Sequence, residues 1–175
     1  MPFFWVRFLM TKREFDMTFK TADLSDENEG RVQAVLPGLL NFGGNTRFYG
    51  EMVTIRSLGD FSLVRDQFKS PGAGKVLVVD NDALMDCAML GDLLAAAAHD
   101  NAWQGVVING CIRDSADIAV MDIGVKALAT IPVRGSREGK GELNVEVEFL
   151  GAVFRPGEYL YSDEDGILLC AEALL

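Results

Sequence analysis

Two stretches, Lys75-Val-Leu-Val-Val-Asp80 and Gly105-Val-Val-Ile-Asn109, decide the fold. Each is a short, unbroken apolar run rich in β-branched residues, and the first is preceded by the chain-breaking Ser70-Pro-Gly-Ala-Gly74. Runs of this kind suit strands buried on both faces, as in a parallel sheet covered by other elements. A helix should follow the first strand, and Leu90 to Asn101, with its alanines from Ala95 to Ala98, has strong helix propensity. Toward the N-terminus, Gly50 to Ser57 has the β-branched alternation of a strand, and Phe61 to Phe68 repeats apolar residues at helical spacing. Toward the C-terminus, Gly110-Cys-Ile-Arg113 reads as a turn and Asp114 to Met121 as a short helix whose first residue caps its own amides. Val125 to Val133 resumes strand character. Short strands at Val145–Phe149, Ala152–Phe154, Glu158–Tyr161 and Ile167–Cys170 follow, separated by Gly, Pro and Asp-rich turns. The pattern is α/β with a β-rich C-terminal half, which argues against a helical bundle or a plain sandwich.

At 175 residues, 49% of them apolar, the chain suffices for one sizeable core and one domain. A formal net charge of −10 and a pI near 4.5 speak against direct binding to a phosphate backbone, although a basic protein partner stays open. Cys87, Cys111 and Cys170 are odd in number and widely spaced, suggesting neither a disulfide framework nor a zinc ribbon, and a reducing cytoplasm fits them. The apolar opening, Met1 to Met10, is too short for a membrane span and lacks the early basic run and cleavage site of a signal peptide. Because Met17 immediately precedes the patterned sequence, residues 1–16 read as an N-terminal extension and 17–175 as the domain; a hydrophobic arm docking on a neighbouring subunit is the alternative.

Several chemistries are disfavoured. His99 is the only histidine, so a Ser-His-Asp triad or a histidine-rich metal site would have to be built around it alone. Gly72-x-Gly74-Lys75 resembles a phosphate loop superficially, but Lys69 and Val76 stand where that motif needs glycine and a hydroxyl residue. Gly43-Gly44 belongs to no G-x-G-x-x-G and reads as a turn or a close backbone approach.

Two places set charge near the ends of buried runs or at helix starts, where α/β proteins keep their sites. In Gly91-Asp92-Leu93-Leu94, a helix beginning at this point leaves the amides of Leu93 and Leu94 able to bind a carboxylate. In Arg113-Asp114, a guanidinium and a carboxylate lie side by side past the Val106-Val-Ile108 run, supplying an anion clamp and a hard oxygen ligand. Taken alone, Asp92 also reads as a simple helix N-terminal charge, and Arg113-Asp114 as a surface turn with a cap. The acidic turn Asp163-Glu-Asp165 could supply a general base or simply be solvated.

Twenty residues separate Asp92 from Arg113, and the resulting D-x20-R-D resembles the signature of the aldolase members of the regulator of ribonuclease activity A / 4-hydroxy-4-methyl-2-oxoglutarate aldolase family. Thr21-Ala-Asp-Leu-Ser-Asp26, Asn41-Phe-Gly-Gly44, Gly74-Lys-Val-Leu-Val-Val-Asp80, Val107-Ile-Asn-Gly110, Gly124-Val-Lys-Ala127, Pro156-Gly157 and Tyr161-Ser-Asp-Glu-Asp-Gly166 are similar to family landmarks, from about Met17 to the C-terminus. The resemblance implies a swivelling β/β/α fold, as in phosphohistidine domains, and a ring-shaped trimer with sites near subunit interfaces. It implies a metal-dependent aldolase acting on a 2-oxo acid, with oxaloacetate decarboxylation as a side activity. Asp114 would hold Mg²⁺ or Mn²⁺. Gly91, Asp92, Leu93, Leu94 and Arg113 would bind substrate, Arg113 and Asp92 being catalytic. The family also contains regulators that bind ribonuclease E; retention of both acidic residues of the motif favours the enzyme. A methyltransferase name sometimes attached to the family finds no Gly-rich nucleoside loop here.

Overall fold

Val76 and Val78 face one side of a central sheet while Leu77 and Val79 face the other, and all four are fully buried. That alternation requires cover on both faces. The computed structural model describes residues 18–175, so the expectation for residues 1–16 lies outside the described residues. In chain order the elements are α1 (Thr21–Glu27), β1 (Val32–Ala34), β2 (Leu40–Asn41), β3 (Phe48–Arg56), α2 (Ser62–Phe68), β4 (Lys75–Asp80), α3 (Asp92–Asp100) and β5 (Gly105–Ile112), followed by α4 (Ser115–Ile118), β6 (Gly124–Thr130), β7 (Glu142–Leu143), β8 (Val147–Phe149), β9 (Ala152–Phe154), β10 (Tyr159–Ser162) and β11 (Ile167–Cys170). The large sheet runs β1-β11-β10-β3-β4-β5-β6-β2, with β7 also on β3. Its centre, β3-β4-β5-β6, is parallel, and its flanks are antiparallel.

One face carries Ile55, Leu77, Val79, Val106 and Ile108 against Val64, Phe68, Ala95, Ala98 and Ile118 of the helices. The other face carries Met52, Val76, Val78 and Val107 against the β8-β9 hairpin through Val147, Phe149, Ala152 and Phe154. The layers are hairpin, sheet and helices, the β/β/α arrangement expected. Each β8-β9 residue that packs inward is flanked by outward Glu148 or Val153, the period-2 pattern of a half-buried ribbon.

Several boundaries differ from the sequence expectation. The helix expected after β4 at Leu90 to Asn101 is α3, which starts at Asp92, two residues later, after an irregular loop over residues 81–91 with Asp82 and Ala83 at positive φ. Gly110 to Arg113 is not a turn, because β5 continues to Ile112 past an irregularity between Ile108 and Cys111. The reason is a new partner: the Met89 amide donates to the Cys111 carbonyl at 2.9 Å and the Arg113 amide to the Leu90 carbonyl at 2.9 Å. Gly43-Gly44 is the close approach anticipated, since a Cβ at either would lie 2.1 or 2.2 Å from the Ile123 or Met121 carbonyl oxygen.

The acidic turn at residues 163–165 divides: Glu164 and Asp165 are exposed, whereas Asp163 is a buried clamp. Buried Asp163 accepts the Thr21 amide and hydroxyl, both at 2.7 Å, and the Asp165 amide at 2.9 Å, tying the start of α1 to the β10–β11 turn. Buried Lys126 of β6 donates to the Asp163 carbonyl at 3.0 Å, and burial pushes its ammonium down against the opposing pull of Asp163 and Glu164. Glu164 pairs with Arg47 at 3.0 Å.

The Phe48 ring lies over the glycines that open β5 and β6: a Cβ would come within 2.6 Å of it at Gly105 and 2.1 Å at Gly124. Gly124→Ala therefore overpacks the sheet, with an expected loss of about 1–3 kcal/mol in urea unfolding. An unchanged unfolding midpoint would contradict this packing.

Candidate functional site

The site is built where β5 ends. Residues 88–91 lie along its final residues, bridging Ala88 to Cys111, and the chain then turns into α3 at Asp92. Just past β5, Asp114 takes a left-handed backbone, φ 54° and ψ 38°, a conformation Asp tolerates better than most residues. Its carboxylate does not cap α4, as the sequence suggested; Oδ2 instead accepts the Asp92 amide at the start of α3, at 3.1 Å. The left-handed turn aims the side chain across to the neighbouring segment.

Gly91 has an ordinary extended backbone, and space is what demands glycine there. A Cβ would stand 2.7 Å from Asp114 Oδ2 and 3.3 Å from Arg113 Nε. Arg113 Nε lies 3.8 Å from Asp114 Oδ2, a loose pair at half-exposed side chains. The Asp92 carboxylate accepts the Leu93 amide at 2.8 Å, so the first turn of α3 is partly self-capped. The sequence-predicted residues Gly91, Asp92, Leu93, Leu94 and Arg113 line one cleft of about 220 Å³, and Asp114 abuts it through Asp92 and Gly91. His99 lies at the far end of α3, against Asp100.

Among the described residues no three His, Cys, Asp or Glu side chains cluster as metal ligands. A structural metal cage is therefore not built here. The half-exposed Asp114 carboxylate, whose Oδ1 accepts no hydrogen bond from the described residues, does fit a hard divalent cation that keeps most of its water.

Sequence reasoning missed half of the cleft. Arg65 on α2 and Arg134 and Arg137, on the loop after β6, join Arg113 there. The run Arg134-Gly-Ser-Arg137 past a strand end was the available signal. This loop is fastened by Asp60, which is 1% exposed: it accepts the Ser62 amide at 2.9 Å, the Ser136 hydroxyl at 3.1 Å and the Glu138 amide at 2.6 Å. Burial would raise the Asp60 carboxyl, but the hydroxyls and amides of Ser62, Glu138 and Ser136 outweigh it and hold it at about 2.

Fold and cleft together define an α/β protein with an arginine-lined cleft at the carboxyl ends of parallel strands. Residues 21–169 match the RraA-like family model, described as Aldolase/RraA. The chain is 51% identical over 162 residues to a protein of Dechloromonas aromatica (strain RCB), covering 90% of this chain and 99% of that one; the relative has provisionally been given the name 4-hydroxy-4-methyl-2-oxoglutarate aldolase. It is similar to the crystal structure of an S-adenosylmethionine:2-dimethylmenaquinone methyltransferase from Geobacillus kaustophilus HTA426, with a TM-score of 0.87, 41% identity and coverage of 89% and 97%. It is equally similar to the structure of the RNA-processing inhibitor RraA from Thermus thermophilis, with a TM-score of 0.88, 40% identity and coverage of 91% and 96%. The chain belongs to the RraA-like family, and its fold is that of the family's solved structures.

Asp60 links this site to pH. A carboxyl depressed in the folded state contributes stability that is complete above the unfolded value near 3.8 and is lost as pH falls toward 2. Asp60→Asn is expected to lower stability at neutral pH and to flatten the fall between pH 4 and 2 in acid unfolding followed by circular dichroism. An unchanged acid limb would show that the Asp60 contacts contribute nothing.

Proposed function

We propose that this chain is a divalent-metal-dependent aldolase that cleaves 4-hydroxy-4-methyl-2-oxoglutarate to pyruvate and decarboxylates oxaloacetate at the same site. The observation that carries the reading is the junction at the start of α3, where the Asp114 carboxylate binds the Asp92 amide and Arg113 stands alongside in an arginine-lined cleft. The aldolase name of relatives about half identical in sequence supports it.

Asp114 would hold Mg²⁺ or Mn²⁺ mostly through water. The bound cation supplies Lewis acidity, neutralising negative charge on the 2-oxo acid. The remaining work belongs to the chain. The amides opening α3 would meet the substrate carboxylate next to the keto group, that of Leu94 directly and that of Leu93 in exchange for its bond to the Asp92 carboxylate. The Arg113 guanidinium donates to the keto oxygen, where charge grows as the carbon–carbon bond breaks. In the retro-aldol step the 4-hydroxyl loses its proton, its oxygen forms a carbonyl, the C3–C4 bond breaks, and the electron pair passes to the keto oxygen as pyruvate enolate. Asp92 acting through a water is the candidate base for that proton. Protonation at carbon then gives pyruvate, and the other half leaves as a second pyruvate. Oxaloacetate reaches the same enolate by releasing CO₂. No lysine Schiff base is involved.

A second reading, regulation of ribonuclease E by protein contact, is favoured by the 40% identical RNA-processing inhibitor and by the acidic net charge, which suits a basic partner. A trimeric ring belongs to either reading, and light scattering of the purified chain measures it. No described helix is long and apolar enough to cross a membrane, and a cytoplasmic setting goes with both readings.

Pyruvate release from both substrates should require a divalent ion, stop with chelator and disappear in Asp114→Ala. Arg113→Ala should lower kcat about a hundredfold, as expected for losing about 3 kcal/mol of oxyanion stabilisation. Turnover that ignores Asp114 would overturn the metal assignment, and stoichiometric, metal-independent inhibition of ribonuclease E with no turnover would transfer the function to the regulator reading.

A further inference from the structure

We propose that Arg134 and Arg137 form a second anion subsite of the cleft, taking the distal carboxylate of a 2-oxo dicarboxylate, and that Asp60 is the positioning residue that holds their loop in place. This rests on the reading that the pyruvyl end binds at Arg113 and α3.

Four arginines line the cleft of a chain whose net charge is −10, and they differ in how they are engaged. Arg113 is paired loosely with Asp114, and Arg65 Nε lies 3.2 Å from Asp66 Oδ1. Arg134 and Arg137 have no carboxylate partner among the described residues. The nearest acidic neighbour in sequence, Glu138, is taken by Lys140 at 2.5 Å. Both are exposed at the cleft, where water screens their mutual repulsion, but an anion seated beside them would gain from both, so two arginines without a protein counter-ion suit a ligand that brings the charge.

The loop that carries them is held from two sides. The Gly135 amide donates to the Ala88 carbonyl at 3.0 Å, and the Ala88 amide donates to the Val133 carbonyl at 2.7 Å, which fixes the loop to the segment leading into Gly91. On the other side the Ser136 amide donates to the Gly59 carbonyl at 2.7 Å, the Phe61 amide donates to the Ser136 carbonyl at 3.0 Å, and the Gly139 amide donates to Ser62 Oγ at 3.0 Å. Asp60 closes this seam with its bonds to Ser136 and Glu138. The fit is tight: a Cβ at Gly135 would stand 2.4 Å from the Gly59 carbonyl oxygen. Arg134 and Arg137 flank this pinned Gly135-Ser136 pair, so the two guanidinium groups hang from a fixed base. Fixing the base reduces the ordering cost of binding, which is how a rigid loop raises affinity for one ligand geometry.

The subsite separates two ligands with the same pyruvyl end. Of the five-carbon 2-oxo acids, 2-oxoglutarate carries a distal carboxylate and 2-oxovalerate a methyl group, and neither can undergo the retro-aldol step. Ligand-observed NMR titration of the full chain with Mg²⁺ present is expected to show tighter binding of 2-oxoglutarate. Arg134→Ala and Arg137→Ala should each weaken 2-oxoglutarate about tenfold, the size expected for one charge-assisted hydrogen bond, and leave 2-oxovalerate unchanged. Arg137→Lys should recover part of the loss. Asp60→Asn, checked for folding by circular dichroism, should reproduce the selective loss; weakening of both ligands equally would reduce Asp60 to a structural role. Equal wild-type affinity for the two acids, or an Arg134→Ala, Arg137→Ala double variant that binds both as the wild type does, would overturn the subsite while the pyruvyl reading stands. A wild type that binds neither acid, or 2-oxovalerate binding that ignores Arg113→Ala, would overturn the pyruvyl reading and the subsite with it.

Discussion

One hydrogen bond, from the Asp92 amide to Asp114, organises the site. It joins the start of a helix to the end of the strand that follows it, and the spacing between the two residues is the length of that unit. Nine residues of α3 carry the chain away from Asp92, a short link reverses it, and eight residues of β5 bring it back to Arg113. The D-x20-R-D interval is thus a measure of helix, turn and strand. A residue inserted in β5 would exchange inward and outward side chains, and one inserted in α3 would rotate its start by about 100°, so either would part the pair. The same bond accounts for the missing Cβ at Gly91 and the left-handed backbone at Asp114: one clears the path between the segments and the other aims the carboxylate along it.

The sheet supplies the rigidity this junction needs. The four central strands are parallel and covered by helices on one face and by the β8-β9 hairpin on the other, so their ends are fixed by cores on both sides. Parallel strands deliver their carboxyl ends to one edge, and on that edge the β5 end, the loop after β6 and the entry to α2 come together around the cleft. Side chains on such an edge are held by buried backbone instead of by each other. That allows a loose pair such as Arg113 and Asp114 to remain half exposed and available to a ligand.

What could be read from the sequence followed from local patterns. The unbroken runs at residues 75–80 and 105–109 announced doubly buried strands, and the alanine-rich stretch announced α3, because burial and propensity act over neighbouring residues. Gly91 and Asp92 at a helix start and Arg113 past a buried run drew notice by position, but position alone also allowed a plain helix charge and a surface turn, and the family resemblance set their functional reading. Where β5 would stop was not legible, since Cys111 and Ile112 are held in the strand by Met89 and Leu90, a partner distant in sequence. The partner of the Asp114 carboxylate was hidden too: a carboxylate before a short helix reads as that helix's own cap, and only the three-dimensional return of β5 offers the amide of another. Asp163, one of an acidic trio that could have supplied a base or been solvated, is instead buried because Thr21, at the opposite end of the chain, presents both an amide and a hydroxyl to it. Arg134 and Arg137 belong to the same class of long-range facts, their loop being positioned by Asp60 and Ala88.

Net charge and local charge point in opposite directions in this molecule, and the opposition bears on what it binds. A chain at −10 repels small anions at a distance, yet its cleft gathers four guanidinium groups. At physiological ionic strength the Debye length is about 8 Å, so a dianion approaching the cleft feels the arginines near its mouth far more than the carboxylates elsewhere on the surface. Attraction is then short in range and confined to one place, which suits capture of a small metabolite. Recognition of a basic protein would draw on the opposite resource, the broad acidic exterior, and would leave the arginines unused. A cleft that concentrates positive charge against the sign of its own protein is costly to maintain for a surface that only has to be acidic. The arginines therefore weigh toward the small-anion reading of the site, independently of any resemblance in sequence.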